Sequence, residues 1–134
     1  MEAAVGSTEL SVLGWSVVLL LLQVVAQATA ASDLGPTYLL SPRDERRESR
    51  SVIAGRLARA LNNLLETYPA FVALALGLIV AGKTGGLGAT GAWVWIAARV
   101  LYVFIYATGI PVVRTLVWLA SIIGLLLMLI RLMA

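Results

Sequence analysis

The sequence predicts an all-α transmembrane four-helix bundle, and three observations carry that prediction. Of its 134 residues, 60% are hydrophobic and the mean hydropathy is +0.94, far above what a soluble domain of this length carries. Four apolar stretches, Leu10 to Ala31, Ile53 to Gly82, Gly91 to Ile110 and Pro111 to Met133, each approach the roughly 20 residues of a bilayer-spanning helix. Inside lipid such stretches can satisfy their backbone groups only as closed helices. Together they consume most of the chain, which reads as a single integral membrane domain with one real loop, residues 32–52.

The first stretch resembles a signal sequence in length. No Lys or Arg precedes it, however, and Glu2 and Glu9 give its leading end the wrong charge for a cleaved signal, so it is expected to remain as the first span. The loop that follows contains Gly35, Pro36, Pro42 and the run Arg43-Asp44-Glu45-Arg46-Arg47-Glu48-Ser49-Arg50. Six of the ten basic residues lie between Arg43 and Arg59, which the positive-inside rule assigns to the cytoplasm. Both termini are then expected outside the cytoplasm. The second span runs into a glycine-rich connector, Lys83 to Thr90, on the opposite side. Thr108-Gly109-Ile110-Pro111 leaves so little chain that the third and fourth spans must form a tight antiparallel hairpin, with Pro111 in the first turn of the last helix. Arg131 runs against this topology, although one arginine at a helix end can snorkel to the interface.

Cysteine and histidine are both absent. That removes disulfides, thiolate nucleophiles, imidazole bases and the usual ligands of zinc or haem, so no metal is expected and any thiol chemistry must import its thiol. The net charge of +3 does not point to nucleic acid, because the basic residues cluster beside a membrane segment.

The chemistry-bearing residues fall into stripes. Arg56, Arg59, Asn63 and Glu66 recur at spacings of three, four and three, which places them within roughly a quarter of a helix circumference. Ionisable groups in a membrane helix are costly and usually face a bundle interior or a polar cavity. Arg59 and Glu66 can compensate one another as a structural pair; Asn63 between them and a second arginine at Arg56 favour a polar ligand. Arg99, Tyr102 and Tyr106 form another stripe descending to the hairpin, where an interfacial aromatic belt is the alternative. Arg114 sits one turn into the fourth span, at the same depth. Alone it would read as a headgroup anchor; beside the other stripes it reads as part of their recess. Arg43 lies in a run of mixed sign that is most simply a solvated loop, with a substrate role as the lesser possibility. Trp15, Trp93, Trp95 and Trp118 read as ordinary membrane aromatics.

Arg59-Ala60-Leu61-Asn62-Asn63-Leu64-Leu65-Glu66, followed by Tyr68-Pro69-Ala70-Phe71, resembles the second helix of the MAPEG superfamily, the membrane-associated proteins in eicosanoid and glutathione metabolism. Arg99-Val100-Leu101-Tyr102, Tyr106, Pro111 and Arg114-Thr115 resemble that family's third helix and its approach to the fourth. Tyr38 and Arg43-Asp44 resemble the loop of the bacterial branch, which implies a bacterial inner membrane. The resemblance covers nearly the whole chain. It implies a homotrimer with glutathione bound between subunits at the cytoplasmic side, held by Arg59, Asn63 and Glu66 of one subunit and Tyr102 and Tyr106 of its neighbour.

By the same resemblance, Arg114 stabilises the glutathione thiolate. The chemistry agrees, since a free thiol has a pKa near 8.5 and a permanent cation nearby favours its ionised form. Arg59 and Arg99 suit the ligand's carboxylates, Glu66 its amine and Asn63 a peptide amide. Thr67 and Gly55 depart from the eicosanoid-forming members and argue against an eicosanoid substrate. The expectation is therefore a glutathione-dependent transferase or peroxidase acting on a lipophilic electrophile or hydroperoxide drawn from the lipid. A non-catalytic scaffold or lipid-binding protein of the same fold is the alternative. A small transporter subunit fits less well, because the polar residues gather at one side and trace no path across.

Overall fold

The computed structural model describes residues 6–30 and 52–134, and these form four helices: α1 (Thr8–Ala30), α2 (Val52–Val80), α3 (Gly86–Thr108) and α4 (Pro111–Met133). All four are long and apolar enough to cross a membrane, and no strand occurs among the described residues. The outer surface carries exposed Leu21, Leu22, Val25, Phe104, Val112 and Leu116, an envelope suited to acyl chains and not to water. This is an integral membrane protein.

Ser7 caps α1, its Oγ accepting the Leu10 amide at 3.2 Å. The buried positions of α1, Glu9, Val12, Ser16 and Gln23, follow a helical stripe that faces the bundle. The core lies between this stripe, α2, α3 and the Leu125 and Met128 side of α4. There the rings of Phe71 and Trp95 stack with centroids 3.9 Å apart and planes 3° apart, while Tyr68 packs at 6.0 Å from Trp95 and shares a 2.8 Å hydrogen bond with Ser16. Trp95 is thus a core residue, whereas Trp15 and Trp93 lie exposed on the outside.

The α3–α4 hairpin is the most intimate pair, and glycine makes it so. A Cβ on Gly91 would lie 2.5 Å from the Gly124 carbonyl oxygen, and one on Gly124 would lie 2.7 Å from the Gly91 carbonyl oxygen. Small residues at such a crossing let two backbones approach where lipid offers no hydrophobic push between helices. Gly109 closes the hairpin in the left-handed conformation (φ 79°), its amide donating to the Ile105 and Tyr106 carbonyls, and Pro111 opens α4.

α3 starts at Gly86, ahead of the Gly91 expected from composition. The reason is packing. Gly88 and Gly91 are helical contact points, a Cβ on Gly88 meeting Leu78 at 2.9 Å, and only Gly82, Gly85 and Gly86 around this connection take positive φ. The shortened connection is pinned from three sides: Glu9 Oε1 accepts the Gly85 amide at 2.8 Å, Lys83 Nζ donates to the Leu132 carbonyl at 3.0 Å, and Arg131 Nε donates to the Lys83 carbonyl at 3.0 Å. Arg131, whose charge runs against the expected topology, is tied into this end of the bundle. Glu9 also places its negative charge at the start of α3, where unpaired amides and the helix dipole favour it.

Candidate functional site

At the other end of the bundle, where the α3–α4 hairpin closes, the polar stripes of α2, α3 and α4 converge. Arg99 is the innermost member, only 1% exposed, and its Nη1 donates to Asn63 Oδ1 at 2.8 Å while its guanidinium lies 4.5 Å from the Tyr102 ring centroid. Three and seven positions along α3, Tyr102 and Tyr106 share one face with ring centroids 5.6 Å apart.

Tyr106 is the hub of the outer half. Arg59 Nε donates to its hydroxyl at 3.1 Å, and the Arg114 guanidinium stands 4.7 Å from its ring centroid. One aromatic side chain therefore orients two cations supplied by α2 and α4. Arg114 can reach it because Pro111 sets the start of α4 directly behind the turn, so that Arg114 lies in the first turn on the side facing α3.

Between these groups opens a cleft of about 300 Å³, lined by Asn63, Tyr102, Tyr106, Arg114, Thr115 and Trp118. No carboxylate among the described residues lines it. With Arg114 on its wall, Arg59 at its rim and Arg99 beneath Asn63, the cleft is a cationic recess with hydroxyl and amide groups beside it, suited to an anionic ligand that also carries peptide-like groups. Because Arg99 occupies Asn63 Oδ1, the Asn63 Nδ2 protons are left to point elsewhere, which fixes that amide as a donor.

Arg59, Asn63, Arg99, Tyr102, Tyr106 and Arg114, all singled out from the sequence, are brought together here. Others are placed differently. Arg56 Nη1 donates to the Ala107 carbonyl at 2.9 Å and its guanidinium packs on Gly109, so Arg56 straps α2 to the C-terminal end of α3, where a cation complements the helix dipole. Glu66 is exposed, three residues past Asn63 on the same stripe of α2. No ion pair joins it to Arg59 among the described residues, so the structural pairing of these two is not formed within the chain. Arg43 falls outside the described residues.

Arg59 binds Tyr106 within one chain, because the connection through Gly82 and Gly85 folds α3 back beside α2 and makes the two stripes neighbours. Arg99 is buried under Asn63 and Tyr102 and holds Asn63, while its Nε and Nη2 have no hydrogen-bond partner among the described residues. Sequence reasoning missed Thr115 as a wall residue and passed over Trp118. Trp118 carried a usable signal: it follows Arg114 by four residues, hence lies on the same face of α4.

Comparison with protein families matches residues 10–134 of this chain to the model described as MAPEG family. Neither the curated proteins nor the solved structures contain a match to it.

Proposed function

We propose, on the premise that this chain belongs to the MAPEG family, that it is an integral membrane glutathione-dependent transferase or peroxidase. Glutathione enters the cationic cleft from the water at the hairpin end, which is the cytoplasmic side by the charge of the preceding loop. Arg59 receives a carboxylate, Asn63 donates to a peptide group, Glu66 meets the ammonium and the tyrosine hydroxyls close the remaining polar contacts. Arg114 faces the sulfur. Its fixed positive charge lowers the cost of losing the thiol proton to water, and the thiolate then attacks the lipophilic partner. In a transfer reaction a carbon–sulfur bond forms while the leaving group departs with its electron pair. With a hydroperoxide, the thiolate takes the distal oxygen, the O–O bond breaks and an alcohol leaves; a second glutathione then yields the disulfide and water.

The observation that supports this reading most is the convergence of Arg59 and Arg114 on Tyr106 at the mouth of a cleft. At about 300 Å³ the cleft sits at the lower limit of roughly 300–1,000 Å³ usual for small-molecule sites. Arg59 and Glu66 are exposed on a span whose surroundings are lipid, an arrangement that carries a cost of about 2.5 kcal/mol or more per charge near mid-membrane. Both facts support a homotrimer in which a neighbouring subunit covers α2 and completes the site.

Purified protein screened with glutathione against a halonitrobenzene and against a lipid hydroperoxide tests the proposal. Turnover of either is expected, with Arg114→Leu lowering kcat about 10²–10³-fold, the usual loss when one charge-stabilising group is removed. Glutathione binding with full turnover in the Arg114→Leu protein would remove Arg114 from the chemistry. A second reading, a non-catalytic lipid-binding scaffold, draws on an apolar groove of about 1000 Å³ between α1 and α3. Binding of lipids with no affinity for glutathione would decide for it.

A further inference from the structure

The turn between α3 and α4 contains a hydrogen-bond deficit that its own sequence creates. In a continuing helix the Ala107 carbonyl would accept the amide four residues on, but residue 111 is proline and has no N–H. The carbonyls just before it are provided for within the hairpin. Ile105 accepts the Gly109 amide at 3.1 Å and the Thr108 hydroxyl at 2.8 Å, and Tyr106 accepts the Gly109 amide at 3.1 Å. The donor to Ala107 comes instead from α2, as Arg56 Nη1 at 2.9 Å. The same guanidinium fills the space that a Cβ on Gly109 would take, with Nη2 2.9 Å and Cζ 3.0 Å from that position. Glycine at 109 therefore meets two demands, the left-handed backbone (φ 79°) and room for the cation.

α2 thus grips two consecutive residues of α3 with arginines three positions apart, Arg59 on the Tyr106 hydroxyl and Arg56 on the Ala107 carbonyl. Beyond the turn, the Arg114 amide donates to the Ile110 carbonyl at 3.3 Å and its guanidinium stands 4.7 Å from the Tyr106 ring centroid. The backbone of residues 107–110 accordingly sets where α4 starts and where Arg114 meets Tyr106. Arg56 is absent from the cleft wall, so its influence on the cleft runs through that backbone.

We propose that Arg56 is a positioning residue: it supplies the cap that Pro111 cannot, fixes the direction in which the chain leaves α3, and so holds Arg114 over Tyr106. Its bearing on thiol chemistry rests on the glutathione reading above, whereas its hold on the turn does not.

Two readouts on the full-length protein in detergent test this: hydrogen exchange over residues 105–113, and the pH midpoint at which bound glutathione develops its thiolate absorbance. Arg56→Leu is expected to speed exchange of the turn about tenfold, the worth of one hydrogen bond from a charged group. It is also expected to raise the thiolate midpoint by about half a unit, the effect of moving a charge from about 4 to 5 Å near a protein surface, with glutathione still bound. Arg56→Lys, which keeps a charged donor, is expected to restore both. In the Arg114→Leu background, Arg56→Leu is expected to speed exchange again and leave the midpoint where it was, because the two residues then act in series. Unchanged exchange in Arg56→Leu would overturn the proposal, whether or not the unaltered protein binds glutathione. An equal midpoint shift with Arg114 already replaced would also overturn it, since Arg56 would then act on the sulfur by its own charge. So would weaker glutathione binding with an unmoved midpoint, which would make Arg56 a ligand contact. Failure of the unaltered protein to bind glutathione would count against the function proposed above and leave exchange to decide on the cap.

Discussion

Tyr106 joins the polar stripes more than any cation does. Its hydroxyl accepts a hydrogen bond from Arg59 Nε and its ring faces Arg114, so removing one oxygen atom should release Arg59 while leaving Arg114 over an intact ring. Tyr106→Phe is therefore expected to weaken glutathione binding about tenfold, the worth of one hydrogen bond to a charged group, with kcat largely retained. Isothermal titration combined with steady-state kinetics checks it; a loss confined to kcat would mean that the hydroxyl acts on the sulfur and not on Arg59. At this scale the sequence was informative wherever helical spacing alone decides the outcome. Arg59 with Asn63, and Arg99 with Tyr102 and Tyr106, recur at three and four residues and need only a helix to share a face. Partners on different helices were not legible. That Arg56 spends its charge on the Ala107 carbonyl, and that Arg99 lies under Asn63, depends on where the hairpin folds back, which no spacing states.

Among the elements, the α3–α4 crossing carries the site, because it sets Arg114 against Tyr106. Gly91 and Gly124 fix its depth, each occupying the space that the other's Cβ would need. Gly124→Leu places a full side chain against the Gly91 carbonyl and the Trp95 backbone, so the helices must separate. A destabilisation of about 1–3 kcal/mol is expected from overpacking, together with loss of activity, although position 124 touches no ligand. Thermal unfolding in detergent measures it; an unchanged melting temperature would mean that the pair tolerates a wider crossing. The same glycines mark where composition misled. A glycine cluster before Gly91 reads as a turn, and glycine at a close helix contact looks identical in a sequence. Only Gly82, Gly85 and Gly86 in that stretch serve the turn, through positive φ. Spans, in contrast, were legible from apolar length alone, because lipid admits few alternatives to a closed helix.

For the whole molecule, the exposed charges of α2 are the decisive feature. Arg59 and Glu66 are exposed on a span, where lipid would leave their charges unsolvated, and Arg59 hydrogen-bonds Tyr106, which lines a cleft of about 300 Å³. Neighbouring copies that bury α2 resolve both. Chemical crosslinking in mild detergent is expected to trap three-subunit species and to lose them when Glu66→Leu and Arg59→Leu are combined; a monomer that binds glutathione at full strength would show that one chain suffices.

The central claim is that Arg114 makes the bound thiol a thiolate at neutral pH, and the ultraviolet difference absorbance of glutathione bound to the purified protein measures that species directly. Mixing at pH 7 is predicted to produce the thiolate band in the unaltered protein and not in Arg114→Leu, which should still bind glutathione by titration. An undiminished band in Arg114→Leu, or glutathione bound to the unaltered protein wholly as the thiol, would contradict the account.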